Sequence, residues 1–179
     1  GDEKQRYSEI SKRLSELSSK FGENVLDATR AWSKLISDES ELAGLPESAL
    51  AQAKQMAAAK EQTGWLFTLD APSFMPVMSY ADNRELRFEM YQAFSTRASN
   101  QGPNANEFDN APLIDEMLAL KKEKAGILGF DNYAELSVAT KMADDGQQVI
   151  EFLEDLAEKA KPAAEQDLAE LKAYVATEF

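Results

Sequence analysis

The chain lacks the two side chains on which most enzymatic proton transfer, thiolate chemistry and zinc ligation rest: it has no His and no Cys. Chemistry here would have to use carboxylates, Lys, Tyr, Ser or Thr. The best-spaced carboxylates are Glu151, Glu154, Asp155 and Glu158. Without the Glu-x-x-His pairs that di-iron bundles need, their helical spacing describes a solvated acidic face. The stretch Asn104-Ala105-Asn106-Glu107-Phe108-Asp109 loosely follows a calcium loop, but it puts Phe108 at the fifth position, Asp109 at the sixth, where Gly is required, and Asp115 at the twelfth, where Glu should close the loop. An EF-hand is rejected. Gly126-Ile127-Leu128-Gly129, after Lys121-Lys122-Glu123-Lys124, has the spacing of a nucleic-acid-clamping GxxG, yet a helix terminator with Lys in its last turn accounts for it without a ligand. Trp32, Trp65, Phe67, Phe74, Tyr80, Tyr91 and Phe94 could line a pocket, and at helical spacing they read as core. There is no P-loop, GxSxG elbow or dinucleotide fingerprint. No catalytic, cofactor-binding or metal-binding residue is assigned.

The elements that would position these groups are helices. Tyr7, Ile10, Leu14, Leu17 and Phe21 alternate by three and four, and the pattern resumes as Val25, Ala28, Trp32 and Leu35 after a four-residue step beside Gly22. This predicts one long amphipathic helix, broken by Ser37-Asp38-Glu39-Ser40 and Gly44. Pro46 suits the first turn of an Ala-rich second helix, which Gly64 closes. Trp65-Leu66-Phe67-Thr68-Leu69 alone has a strand's composition, and no obvious partner presents itself. Pro72 to Tyr80 reads as a short helical turn or loop packed inward. A capping box at Asp82-Asn83-Arg84-Glu85 starts a helix from Asn83 to about Ala98, with Leu86, Met90, Ala93 or Phe94, and Arg97 or Ala98 inward.

Ser99 to Asn110 is the longest loop. Asn110 caps a helix that Gly126 or Gly129 ends, Asp131 caps a shorter one over Asn132 to Met142, and Asp144-Asp145-Gly146-Gln147 opens the last. That helix carries Val149, Ile150, Leu153, Leu156, Ala160, Ala164, Leu168, Leu171 and Val175 on its apolar side, and Pro162 should kink it rather than break it. The expected fold is all-α: a single bundle-like segment over 1–179 with long kinked helices and at most one short strand pair.

The 179 residues suit one domain, and 44% apolar with 28% charged residues is a globular composition. With 19 Lys plus Arg against 32 Asp plus Glu the net charge is −13, which repels phosphate backbones, so no nucleic acid partner is expected. Residues 141–179 hold four Lys against ten acidic residues and could steer basic partners. No apolar run reaches the ~20 residues of a bilayer span and the first residues lack a signal's apolar core, so the chain is expected to be soluble and cytoplasmic, without a membrane partner. It begins without Met and ends while the apolar periodicity is still running, the pattern expected of an excised or processed piece.

Several runs resemble one family: Glu23-Asn24-Val25-Leu26-Asp27-Ala28-Thr29, Pro72-Ser73-Phe74-Met75-Pro76-Val77-Met78, Ser95-Thr96-Arg97-Ala98-Ser99-Asn100-Gln101-Gly102-Pro103-Asn104 and Ile127-Leu128-Gly129-Phe130-Asp131-Asn132-Tyr133-Ala134. They are similar to the thimet oligopeptidase and neurolysin family of zinc metallopeptidases. Ser137-Val138-Ala139-Thr140-Lys141-Met142-Ala143, then Val149, Phe152, Leu153 and Leu156, then Lys161-Pro162, look like that family's lead-in to a long kinked helix. The likeness runs from about Tyr7 to Phe179 and covers well under half of a family member, in its N-terminal, largely helical lobe. It implies two helical lobes around a deep channel that admits short peptides, with zinc held further toward the C-terminus by a His-Glu-x-x-His helix.

A chain without His cannot contain that motif, so the resemblance transfers no site residue to any position here. The implied role is part of the channel wall, inactive alone, with zinc only in the full-length parent. The implied partners are the rest of the parent chain and, in the parent, short peptides; exposed apolar faces would favour self-association. The alternative is a free-standing helical interaction module that binds partner helices or peptides.

Overall fold

The computed structural model describes residues 1–178. Among them the order is α1 (Asp2–Ala31), β1 (Ser33–Ile36), a 3-10 turn (Glu39–Leu42), α2 (Glu47–Ala59), β2 (Trp65–Thr68), α3 (Ala71–Tyr80), α4 (Arg84–Ser95), α5 (Ala111–Ile127), α6 (Tyr133–Val138) and α7 (Gly146–Glu178). The all-α expectation with one strand pair holds. The chain divides into two compact units, Ser8–Leu118 and Gly1–Tyr7 with the chain from Ala119 onward.

In the Ser8–Leu118 unit the first correction concerns Trp32 and Leu35, which the helical spacing assigned to the first helix. The helix ends at Ala31, and Ser33–Ile36 pairs antiparallel with β2, Lys34 opposite Phe67 and Ile36 opposite Trp65. A four-residue segment cannot reveal its period, and the partner that satisfies its backbone lies some thirty residues away. Gly64 does not close the second helix. That helix stops at Ala59, with Glu61 in the left-handed region at φ 58°, and Gly64 sits at φ 125° against the Ile36 carbonyl, where a Cβ would collide. Pro46 occupies the N-cap, one position before the first helical turn.

The core of this unit gathers Trp32, Ile36, Leu42, Phe67, Leu69, Phe74, Val77, Leu86 and Met90. Ala53 and Ala57 are buried on α2, and their small side chains let that helix lie close against β2. Pro72 to Tyr80 forms a true helix in which Phe74 and Val77 turn inward, while Met75 and Tyr80 stay exposed. At the start of α4 the cap is Asn83, not Asp82: its side chain accepts from the backbone N–H groups of Glu85 and Leu86 at 3.0 and 3.1 Å, and the helix ends at Ser95. Leu86, Met90 and Ala93 face the core as expected.

In the other unit, α5 ends in a Schellman turn. The Phe130 N–H reaches the Ala125 carbonyl at 3.0 Å, the Gly129 N–H reaches Gly126 at 3.1 Å, and Gly129 takes φ 78°. Asn132, rather than Asp131, caps α6 by accepting from the Glu135 N–H, and α6 is shorter than expected, stopping at Val138. Helix α7 runs unbroken through Pro162.

Candidate functional site

The sequence motifs that could carry chemistry are used for local structure. Glu151, Glu154, Asp155 and Glu158 all lie exposed on α7, and Asp155 pairs with Lys159 at 2.7 Å. In the loop before α5, Asn104 donates to Glu107 at 2.9 Å and the Asp109 carboxylate accepts the Ala111 N–H at 2.9 Å. The Gly126–Gly129 pair builds the Schellman turn, while Lys121 lies 5.0 Å from the centre of the Tyr133 ring and Lys124 4.8 Å from that of Tyr7. Of the aromatic set, Trp32, Phe67 and Phe74 are core and Trp65 and Phe94 pack against it, with Phe74 and Phe94 stacked at 4.3 Å; Tyr80 and Tyr91 are exposed.

Two side chains, Arg97 and Asn110, hold the Ser8–Leu118 unit together through partners far away in sequence, which the spacing did not announce. Arg97 stacks its guanidinium 3.6 Å over Phe94, donates to the Phe94 carbonyl at 2.9 Å and to the Thr29 hydroxyl at 2.7 Å, and its burial pulls its pKa down. Asn110, the residue before α5, accepts the Ile114 N–H on its backbone carbonyl and turns its side chain to Asn24 and the Phe21 carbonyl of α1. Each unit also contains one bidentate Arg–Glu pair at 2.6–2.9 Å: Arg13–Glu116 in one and Arg6–Glu123 in the other. These pairs hold both carboxyls below the usual range. In sequence they were ordinary surface charges, because nothing in spacing couples residues about a hundred positions apart.

Two surfaces stand out among the described residues. On α4 and its approach, Met78, Arg84, Arg87, Phe88 and Tyr91 line a shallow cavity of about 290 Å³, with Arg87 donating to the carbonyls of Ala81 and Asp82. The larger surface is α7. No residue of it is buried, and Phe152, Leu156 and Leu171 are 64%, 52% and 59% exposed. Where α6 meets the start of α7, a groove of about 490 Å³ runs between Val138, Val149 and Ile150.

Zinc, the metal that the resemblance implies, does not fit these residues. No group of three or more potential ligands converges among the described residues, and the imidazole and thiolate donors that zinc favours do not occur in the sequence. No described helix is long and apolar enough to cross a membrane. What the geometry defines is a helical scaffold with an uncovered apolar side.

Comparison with known proteins supplies the family. Peptidase family M3 matches residues 77–179, and the chain belongs to that family. Over 178 residues it is 60% identical to oligopeptidase A of Salmonella typhimurium and 58% identical to oligopeptidase A of Escherichia coli, covering 99% of this chain and 26% of each relative. It is 46% identical to a probable cytosolic oligopeptidase A of Arabidopsis thaliana, covering 97% of this chain and 25% of that one. The chain thus spans about a quarter of the length of these relatives.

Proposed function

We propose that this chain is part of a cytoplasmic zinc metallo-oligopeptidase that hydrolyses short peptides, and that it contributes to the wall of the substrate channel without catalysing the reaction itself. Membership of peptidase family M3 carries this reading, together with close similarity, from end to end of the chain, to proteins named oligopeptidase A. The division of labour follows from residue types. A metallopeptidase needs a metal that activates water and a general base beside it. The 179 residues supply helices, caps and apolar faces, and no His for such a centre. A scaffold of this kind acts on catalysis by excluding folded proteins from a channel and by holding the walls at fixed spacing.

The test compares the purified chain with its full-length parent on a fluorogenic peptide of about eight residues. The parent should turn the peptide over, lose activity to a chelator and regain it with zinc, while the 179-residue chain with zinc shows none. Chelator-insensitive activity in the parent, or hydrolysis that tracks this chain through successive purification steps, would overturn the proposal. Fractionation of the source cells checks the cytoplasmic location.

A further inference from the structure

The exposed apolar residues of α7 are not scattered. At 100° per residue, Val149, Ile150, Phe152, Leu153, Leu156, Leu168, Leu171, Tyr174 and Val175 fall within one sector of about 160°, with Ala157, Ala160, Ala163 and Ala164 filling its middle turns. The stripe is about 40 Å long at 1.5 Å per residue. A face this wide is the pattern of a helix laid against a protein core, yet no residue of α7 is buried.

Charge separates the candidate occupants. Residues 146–178 carry three Lys and eight Asp or Glu. Lys159 pairs with Asp155 and Lys161 with Glu165 inside the helix. Glu151, Glu154, Glu158, Asp167, Glu170 and Glu178 are left with no ion-pair partner among the described residues. Two copies meeting along this helix would bring two such acidic sets together, each within a chain of net charge −13. A complementary surface is instead apolar along its centre and basic at its margins. The relatives are about four times as long as this chain, so most of the polypeptide in which such a surface would reside lies outside these residues.

We infer that α7 is a docking helix for the rest of its own polypeptide: its apolar side seats an apolar face, margined by Lys and Arg, from the part of the parent beyond residues 1–179. This rests on the reading of the chain as part of a longer peptidase.

The absence of Cys makes the test direct, because single thiols can be placed at will. Leu156→Cys and Leu171→Cys probe the apolar side, and Glu158→Cys the opposite one. Each is made in the isolated chain and in the full-length parent, maleimide labelling rates are read by peptide mass spectrometry, and peptidase activity is assayed separately. Docking predicts that positions 156 and 171 label at least about 100-fold more slowly in the parent than in the isolated chain, while position 158 changes less than about threefold. Equal rates at 156 and 171 in both contexts overturn it, whatever the activity. Slow labelling there in the isolated chain, with a dimer mass at low salt, also overturns it in favour of a second copy. Protection in a parent that lacks metal-dependent peptide hydrolysis would leave docking standing and remove the peptidase reading.

Discussion

Asn24 and Asn110, 86 positions apart, share a buried hydrogen bond of 2.8 Å from the Asn24 amide to the Asn110 side-chain carbonyl. The Asn110 amide continues to the Phe21 backbone carbonyl at 3.2 Å, and Asn110 itself is 2% exposed. The pair fastens the start of α5 to α1 within the Ser8–Leu118 unit. Asn110→Ala strands the buried Asn24 amide, and an unsatisfied buried polar group costs about 1–3 kcal/mol. Denaturant unfolding should show a loss of that size. Asn24→Leu combined with Asn110→Leu should lose less than the sum of the single changes, since no polar partner is then left orphaned. Strict additivity would show that the two side chains are not coupled.

Gly64 holds the strand pair. Its φ of 125° is closed to L side chains, and a Cβ would meet the Ile36 carbonyl. Gly64→Ala should destabilise the chain by more than about 1 kcal/mol. Gly22→Ala, where a Cβ meets nothing within 4 Å inside α1, should be neutral or stabilising. Thermal unfolding of the two variants checks the contrast, and equal shifts would refute the role of Gly64.

The Arg–Glu pairs set an acid limb. Arg13 holds the Glu116 carboxyl, and Arg6 the Glu123 carboxyl, below the usual range, chiefly through side-chain hydrogen bonds. A carboxylate with a depressed folded-state pKa contributes stability that is fully present above its unfolded value of about 4.3 and is lost as pH falls through the lower folded value. Stability should therefore fall as pH drops below about 4.3, and Glu116→Gln with Glu123→Gln should flatten that fall while leaving the curve above pH 6 nearly parallel. The pairs are solvent-exposed, so the effect at neutral pH is small. Denaturation midpoints measured at several pH values would expose an unchanged acid limb.

Salt should promote self-association of the isolated chain. A net charge of −13 keeps copies apart at low ionic strength, and screening removes that barrier while the apolar side of α7 remains. Light scattering should give a mass near 19.8 kDa at about 0.02 M salt and a larger one near 1 M. Leu153→Asp with Leu171→Asp should abolish the rise. A salt-dependent rise that survives those substitutions would place the sticky surface elsewhere.

Most of the helices were legible because the information is local. Alternating steps of three and four, an Asn or Asp before a helix, and Gly at its end act within one or two turns, as at α4, α5 and α7. The lack of His was equally decisive for the site, because a ligand that is absent from the chain cannot be supplied by folding. Long-range relationships were another matter. Trp32 and Leu35 fit helical spacing as well as a strand, and only hydrogen bonding between Ser33–Ile36 and Trp65–Thr68 selects the extended form. Asn110 has the composition of a cap, and only the proximity of Phe21 and Asn24 turns its side chain inward. The apolar period of α7 reads the same whether that side is covered or bare. Periodicity reports what a helix would bury, and only tertiary structure decides what is there to bury it against.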